Sequence, residues 1–292
     1  MFAGSIPALV TPFRDGAVDK PAFANLVERQ VAAGSGALVP MGTTGETSTL
    51  SHDEHKSVVS LCVEVAAGRV PVIAGAGANS TTEAIELTIH AKAVGADAAL
   101  VVVPYYNKPD QRGIFAHFKA INDAVQLPVF LYNVPGRTVV DLLPDTVIAL
   151  AELPNIIGIK DASDDLARVA QHAAGTQGQQ FIQLSGHDPS ALGFCAQGGA
   201  GVISVTANVA PEAMAKMVDA AVDGRLDEAR AIDASLSGLH SALFASPSPG
   251  PSKFALSAFG LCTADVRLPL LPPDDAAQAL ILSAMQAAGL KD

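Results

Sequence analysis

Residues 70–103, VPVIAGAGANSTTEAIELTIHAKAVGADAALVVV, decide the fold. Two short apolar runs, Val70 to Ala74 and Ala98 to Val103, flank a stretch that opens at Asn79 to Glu83 with helix-start chemistry. Valine-rich runs of this length read as strands buried on both faces, and a helix between two of them makes the pair parallel. A doubly wound dinucleotide-binding sheet is the competing architecture, and it demands G-x-G-x-x-G after a first strand. Gly75-Ala76-Gly77-Ala78-Asn79 lacks the third glycine, follows the third strand and has no acidic ribose partner at the expected distance.

Outward from this unit the same alternation extends from the first residues to about position 223. Eight strand runs are read: Ser5 to Val10, Ala37 to Val39, Val70 to Ala74, Ala98 to Val103, Pro128 to Tyr132, Ile156 to Lys160, Gln180 to Leu184 and Gly201 to Ser204. Helix starts are legible at Asp19-Lys20-Pro21, at Ser51 with Glu54, and at Pro211-Glu212. The first turn, Thr11-Pro12-Phe13-Arg14, has no glycines. Eight units are the number that closes a ring, so the expected fold is α/β, a (β/α)8 barrel of the TIM type over residues 1–224. Arg225 to Leu290 then reads as three helices, broken at Ser246 to Pro251 and at Pro272-Pro273, a small helical appendage over residues 225–292.

With 49% hydrophobic and 16% charged residues the chain carries enough apolar material for a large core, which excludes disorder. A formal charge of -11 argues against a nucleic-acid surface, since phosphate neutralisation needs clustered Lys and Arg. Anionic substrates would therefore need a locally placed Arg or backbone N–H groups. Cys62, Cys195 and Cys262 are odd in number and set among apolar neighbours, as buried thiols of a reducing compartment are. No apolar run approaches the roughly 18 residues of a membrane span and the N-terminus has no basic leader, so a cytoplasmic location is expected.

Catalysis in such barrels occurs at the C-terminal ends of the strands, which selects Gly42 to Glu46, Tyr105, Tyr106, Tyr132 to Thr138, Lys160 and Ile203. Lys160 closes Asn155-Ile156-Ile157-Gly158-Ile159-Lys160, with apolar residues behind it; it reads either as a snorkelling lysine or as a Schiff-base amine. Gly42-Thr43-Thr44-Gly45-Glu46 sets two hydroxyls between two glycines, the makings of an anion cradle. The chain has three tyrosines, and Tyr105, Tyr106 and Tyr132 all fall at ends of the fourth and fifth strands, where phenols can pass protons to hydroxyls such as Thr43. Arg137 supplies the positive charge that a second carboxylate would need. His52 and His55 lie one helical turn apart, but without the His-Glu-x-x-His spacing or a third ligand nearby no metal is expected.

Taken in order, Gly42 to Glu46, Pro104-Tyr105-Tyr106-Asn107, Tyr132-Asn133-Val134-Pro135-Gly136-Arg137-Thr138 and Gly158-Ile159-Lys160 resemble the dihydrodipicolinate synthases, and the likeness runs essentially end to end. The resemblance implies a Schiff-base lyase without a cofactor. Lys160 would form the imine with pyruvate and Thr44 with the turn amides would hold its carboxylate. Thr43, Tyr132 and Tyr106 would relay protons, Ile203 would line the substrate, and Arg137 would bind the carboxylate of aspartate semialdehyde. The product would be 4-hydroxy-tetrahydrodipicolinate, the first committed intermediate toward lysine by way of diaminopimelate. Tyr106 would cross a tight dimer interface within a homotetramer. Free lysine would inhibit from a site made by Ser48, His52, His55, Asn79, Glu83 and Tyr105. N-acetylneuraminate lyase and the keto-deoxy sugar-acid aldolases resemble the chain in barrel and lysine, but generally lack an Arg at the place of Arg137. A retired barrel acting as a pyruvate or amino-acid sensor would share the fold, and intact Lys160, Tyr132, Thr43 and Tyr106 argue against it. The pattern departs at Ser248-Pro249-Gly250-Pro251, where synthases often carry Asn and a β-branched residue at the first and third places.

Overall fold

The computed structural model describes residues 2–290, so Met1 and the last two residues of the appendage lie outside the described residues. The strands are β1 (Gly4–Pro7), β2 (Phe13–Arg14), β3 (Ala17–Val18), β4 (Ile73–Gly75), β5 (Ala98–Val102), β6 (Val129–Asn133), β7 (Ile156–Asp161), β8 (Ile182–Ser185) and β9 (Gly201–Ser204). Seven of them form one parallel sheet in the order β1-β9-β8-β7-β6-β5-β4. The two edges meet through the short run around Leu38 and Val39, since Ala8 bridges Val39 and Leu38 bridges Val72, both in parallel. Val39 N–H donates to Pro7 O at 3.0 Å and Ile73 N–H donates to Leu38 O at 2.8 Å. The second expected strand, Ala37 to Val39, thus closes the ring through bridges rather than a full ladder. Pro40, directly after it, has no N–H to extend the pairing.

The helices are α1 (Lys20–Ala32), α2 (His52–Ala66), α3 (Thr81–Ala93), α4 (Gln111–Ala124), α5 (Pro135–Thr138), α6 (Pro144–Ala151), α7 (Ala167–Gly175), α8 (Ala191–Ala196) and α9 (Pro211–Val222). Past the last strand come α10 (Leu226–Ala242), α11 (Gly250–Ala258) and α12 (Asp275–Ala287). Asp19 caps α1 by accepting from Ala22 N–H at 3.0 Å. At α2, Ser51 and Glu54 form a reciprocal capping box. Ser80, not Asn79, caps α3 by accepting from Glu83 N–H at 3.4 Å. Caps of this kind contribute about 1 kcal/mol each. The hairpin of β2 and β3 was not expected, although Asp15-Gly16 with φ of 53° and 80° is the two-residue turn that such a pair favours.

The core has two shells because side chains alternate along each strand. One face, including Ala99, Val101, Val129, Leu131 and Ile159, packs outward against the first helices. The other, including Ile6, Leu100, Phe130, Leu184 and Ile203, fills the barrel interior. Each fully buried side chain of this size contributes about 1.5–3 kcal/mol. A third cluster joins α8 and α9 to α10, α11 and α12 through Met214, Leu236, Leu239 and Ile281. Gly250 lies close to Leu271 and Pro273, since a Cβ there would stand 3.2 Å from Leu271 O.

Candidate active site

The aim of Lys160 is set by an irregularity in its own strand. Val129 faces Ile156, but the next residue, Phe130, faces Gly158, so Ile157 is an extra residue in β7. A slip of one residue exchanges the two faces of a strand. Ile156 and Ile159 pack outward while Ile157 joins the interior, and Lys160 shares the interior parity of Gly158. Tyr132, Lys160 and Leu184 are register partners across β6, β7 and β8. Gly158 leaves room for the layer below, since a Cβ there would lie 2.7 Å from the Phe130 ring and 2.3 Å from Ile182 O.

Lys160 is buried, with Nζ 4.2 Å from the centre of the Tyr132 ring. Among the described residues no carboxylate pairs with it. The neighbouring Asp161 turns one oxygen to the N–H of Ser163 at 2.8 Å, while its other oxygen is buried without a partner. Gly186, after β8, makes space for the lysine stem: a Cβ there would stand 3.0 Å from Lys160 Cε. Ile203 is a fully buried member of the interior layer, paired with Ile6. An amine with an aromatic face beside it and no carboxylate partner is disposed to attack a ketone carbonyl.

The turn after residues 37–39 lies at the same end of the barrel. Gly42 leads into a short 3-10 turn, Thr43–Gly45, and Gly45 N–H donates to Gly42 O at 3.0 Å. Thr11 fixes the turn by donating its hydroxyl to Gly45 O at 2.7 Å. Thr44 is buried and Thr43 half-buried. The turn ends on Glu46, a non-glycine residue in the left-handed region at φ 58°, whose side chain is wholly buried.

Arg137 sits on α5, exposed and without an ion-pair partner among the described residues. Its loop is tied down at both ends. Asn133, fully buried, donates to Asp141 at 2.9 Å and accepts from Leu142 N–H at 3.0 Å. Arg168 grips Asp141 bidentately at 2.6 and 2.8 Å. The Arg168 guanidinium holds the Asp141 carboxyl below its ordinary range, against the opposing effect of burial. A free guanidinium on an anchored loop is suited to a mobile carboxylate.

Tyr106 stands apart from this group in the single chain. It is 90% exposed and left-handed at φ 70°, and Lys108 beyond it is left-handed at φ 49°. A strained, exposed aromatic residue of this kind has no packing role within its own chain.

The residues expected to hold lysine form a partial cluster on the outer flank. His52 Nε2 and Glu83 Oε1 are 3.0 Å apart. Tyr105 is exposed at 38%, yet partial desolvation, with Glu83 adding to it, raises its phenol above the ordinary value while Asn79 opposes. Asn107 donates to Asn79 O at 2.8 Å. His55 is buried, and burial pushes its pKa down to about 4 against the opposing backbone of Gly75, with His90, His52 and Lys56 assisting. Ser48 is exposed, and no hydrogen bond joins it to the others among the described residues.

Three contributors to the site escaped the sequence reading. Gly186 carried no signal besides being a glycine after a strand. Glu46 was read as part of its motif, but nothing in the chain revealed that its carboxylate is buried. Its partner, Lys253, lies 207 positions away and reaches Glu46 Oε1 at 2.5 Å.

The model of the dihydrodipicolinate synthetase family matches residues 1–288. A 4-hydroxy-tetrahydrodipicolinate synthase of Hyphomonas neptunium is 70% identical over 292 residues, 99% of each chain. Among solved structures, the chloride-inhibited dihydrodipicolinate synthase of Acinetobacter baumannii complexed with pyruvate is 46% identical with a TM-score of 0.97, and 100% of each chain is covered. The enzyme of Cyanidioschyzon merolae with lysine bound is 40% identical with a TM-score of 0.96 over 99% of each chain.

Proposed function

The chain belongs to the dihydrodipicolinate synthetase family, and on that premise we propose that Lys160 is the Schiff-base nucleophile of a 4-hydroxy-tetrahydrodipicolinate synthase, a lyase condensing pyruvate with L-aspartate 4-semialdehyde. This is the first committed step toward lysine by way of diaminopimelate. The observation that carries the assignment is the inward-facing Lys160, set 4.2 Å from the Tyr132 ring and unpaired with any carboxylate of the described residues.

Lys160 Nζ attacks the keto carbon of pyruvate, and the carbonyl oxygen leaves as water to give the imine. The pyruvate carboxylate rests on Thr44 and the backbone N–H groups of its turn, the anion cradle that two glycines permit. Loss of a methyl proton yields an enamine, whose carbon attacks the semialdehyde carbonyl. Tyr132 and Thr43, joined by Tyr106, carry protons to and from these centres, and Ile203 walls the substrate from below. Arg137 holds the semialdehyde carboxylate. The substrate amine finally displaces Lys160, which closes the ring and returns the free enzyme. Residues 1–224 form the catalytic unit in this reading and residues 225–292 its helical appendage.

A homotetramer built from tight dimers accounts for Tyr106, since an aromatic side chain that is 90% exposed on a left-handed residue finds its function in a second copy's site. Free lysine binds at Ser48, His52, His55, Asn79, Glu83 and Tyr105, a reading supported by the His52–Glu83 pair and by Tyr105 beside Tyr106. Three buried free thiols support a reducing, cytoplasmic setting. A steady-state assay with pyruvate and aspartate semialdehyde tests the activity: turnover abolished by Lys160→Ala is expected. Cleavage of N-acetylneuraminate or a keto-deoxy sugar acid in its place would contradict it.

A further inference from the structure

We propose that Lys253 and Glu46 are positioning residues, through which the appendage holds the Thr43–Thr44 turn in register for the pyruvate carboxylate. The role rests on the reading of that turn as the pyruvate cradle. Glu46 is the residue at which the turn ends, and its N–H donates to Thr43 O at 3.1 Å. A left-handed φ of 58° favours glycine, so a glutamate there points to a requirement for its side chain.

That side chain has no exposure and is engaged at both oxygens. Oε1 accepts from Lys253 Nζ at 2.5 Å and Oε2 accepts from Arg267 N–H at 3.0 Å. Lys253, on α11, is equally inaccessible, donates also to Asp265 O at 2.8 Å, and lies 3.9 Å from the centre of the Phe13 ring. Arg267 covers the same ring at 4.3 Å and grips Glu54 of α2 bidentately at 2.6 and 2.8 Å. Thr263 donates to Phe13 O at 2.7 Å. The appendage thus reaches the substrate turn through a dry ion pair, while Thr11 secures the same turn at Gly45 O from within the barrel.

A dry pair fixes geometry more sharply than an apolar contact, because each lone pair and proton must find its partner. If only stability were served, a volume-conserving neutral pair would do as well. Lys253→Met combined with Glu46→Gln removes both charges together and leaves no buried ion unpaired. The double variant is expected to fold and to be trapped by borohydride on Lys160 at saturating pyruvate. Its KM for pyruvate should rise about tenfold, with kcat within about twofold and the KM for semialdehyde unchanged. Ile281→Ala, a buried substitution on α12 in the apolar cluster it shares with α9 and α10, controls for loosening: it should lower the melting temperature and leave the pyruvate KM alone. An unchanged pyruvate KM in the double variant overturns the proposal, as does an equal rise in the Ile281→Ala control. A double variant that cannot fold assigns the pair to stability alone and overturns it too. Absence of trapping on Lys160 in the unsubstituted enzyme would instead remove the reading of the cradle itself.

Discussion

Arg137 owes its proposed role to what surrounds it: an exposed guanidinium, free of ion pairs among the described residues, on a loop pinned by Asn133, Asp141 and Arg168. Charge-assisted hydrogen bonds contribute about 1.5–3 kcal/mol, so Arg137→Ala should lower kcat/KM for the semialdehyde by about ten- to a hundredfold. Imine formation with pyruvate should be untouched. Stopped-flow measurement of the two steps separates them, and equal loss of both would show that Arg137 does not clamp the second carboxylate. Arg168→Ala should reproduce part of the effect by freeing the loop, since Asp141 would lose its bidentate partner.

At the scale of the strand, the bulge at Ile157 and the absence of a side chain at Gly158 act together to aim Lys160 inward. Gly158→Ala would set a Cβ 2.3 Å from Ile182 O and 2.7 Å from the Phe130 ring, within a close-packed interior. Overpacking of this kind costs about 1–3 kcal/mol, and here backbone would have to move as well. A lower denaturation midpoint, together with slower imine formation at Lys160, is the expected outcome; a variant with unaltered stability and rate would show that Gly158 is not needed to seat the layer. The eight strand runs were legible because buried parallel strands are short, continuous and β-branched, helix starts at Asp19 and Ser51 because capping is local chemistry, and the start at Pro211 because proline suits the first helical position. The bulge was not legible, because register depends on the neighbouring strand. Nor was the reduction of Ala37 to Val39 to bridges, where Pro40 withholds the next donor.

At the scale of the whole molecule, burial disfavours protonation of His55 and His117, and this couples stability to pH. Desolvation lowers the pKa of His117 to about 4, as burial with neighbouring charge does for His55. Both start from 6.5 in the unfolded chain, which therefore binds protons first as the pH falls. Their contribution to stability is complete above that value and is lost as pH falls through the window from 6.5 toward about 4. His117→Gln should flatten the decline of the melting temperature across this interval, and calorimetry at several pH values checks it; an unchanged slope would mean that His117 is not buried neutral.

Long-range coupling of a second kind is expected at the flank of His52, Glu83 and Tyr105. A tenfold inhibition by lysine needs only about 1.4 kcal/mol of differential binding. Steady-state rates with millimolar lysine should fall, and Glu83→Ala should abolish the effect; inhibition that survives this substitution would place lysine elsewhere. The cluster of tyrosines at strand ends and the two-glycine turn point to this end of the barrel from composition and position alone. The Lys253–Glu46 pair did not show, because residues 207 positions apart become partners only when the appendage folds back on the barrel.

The most direct test of the central assignment is borohydride reduction in the presence of pyruvate, followed by peptide mass spectrometry. One three-carbon adduct per chain on Lys160, absent from Lys160→Ala, is the expected result. An adduct on a different lysine, or none, would contradict Lys160 as the Schiff-base nucleophile.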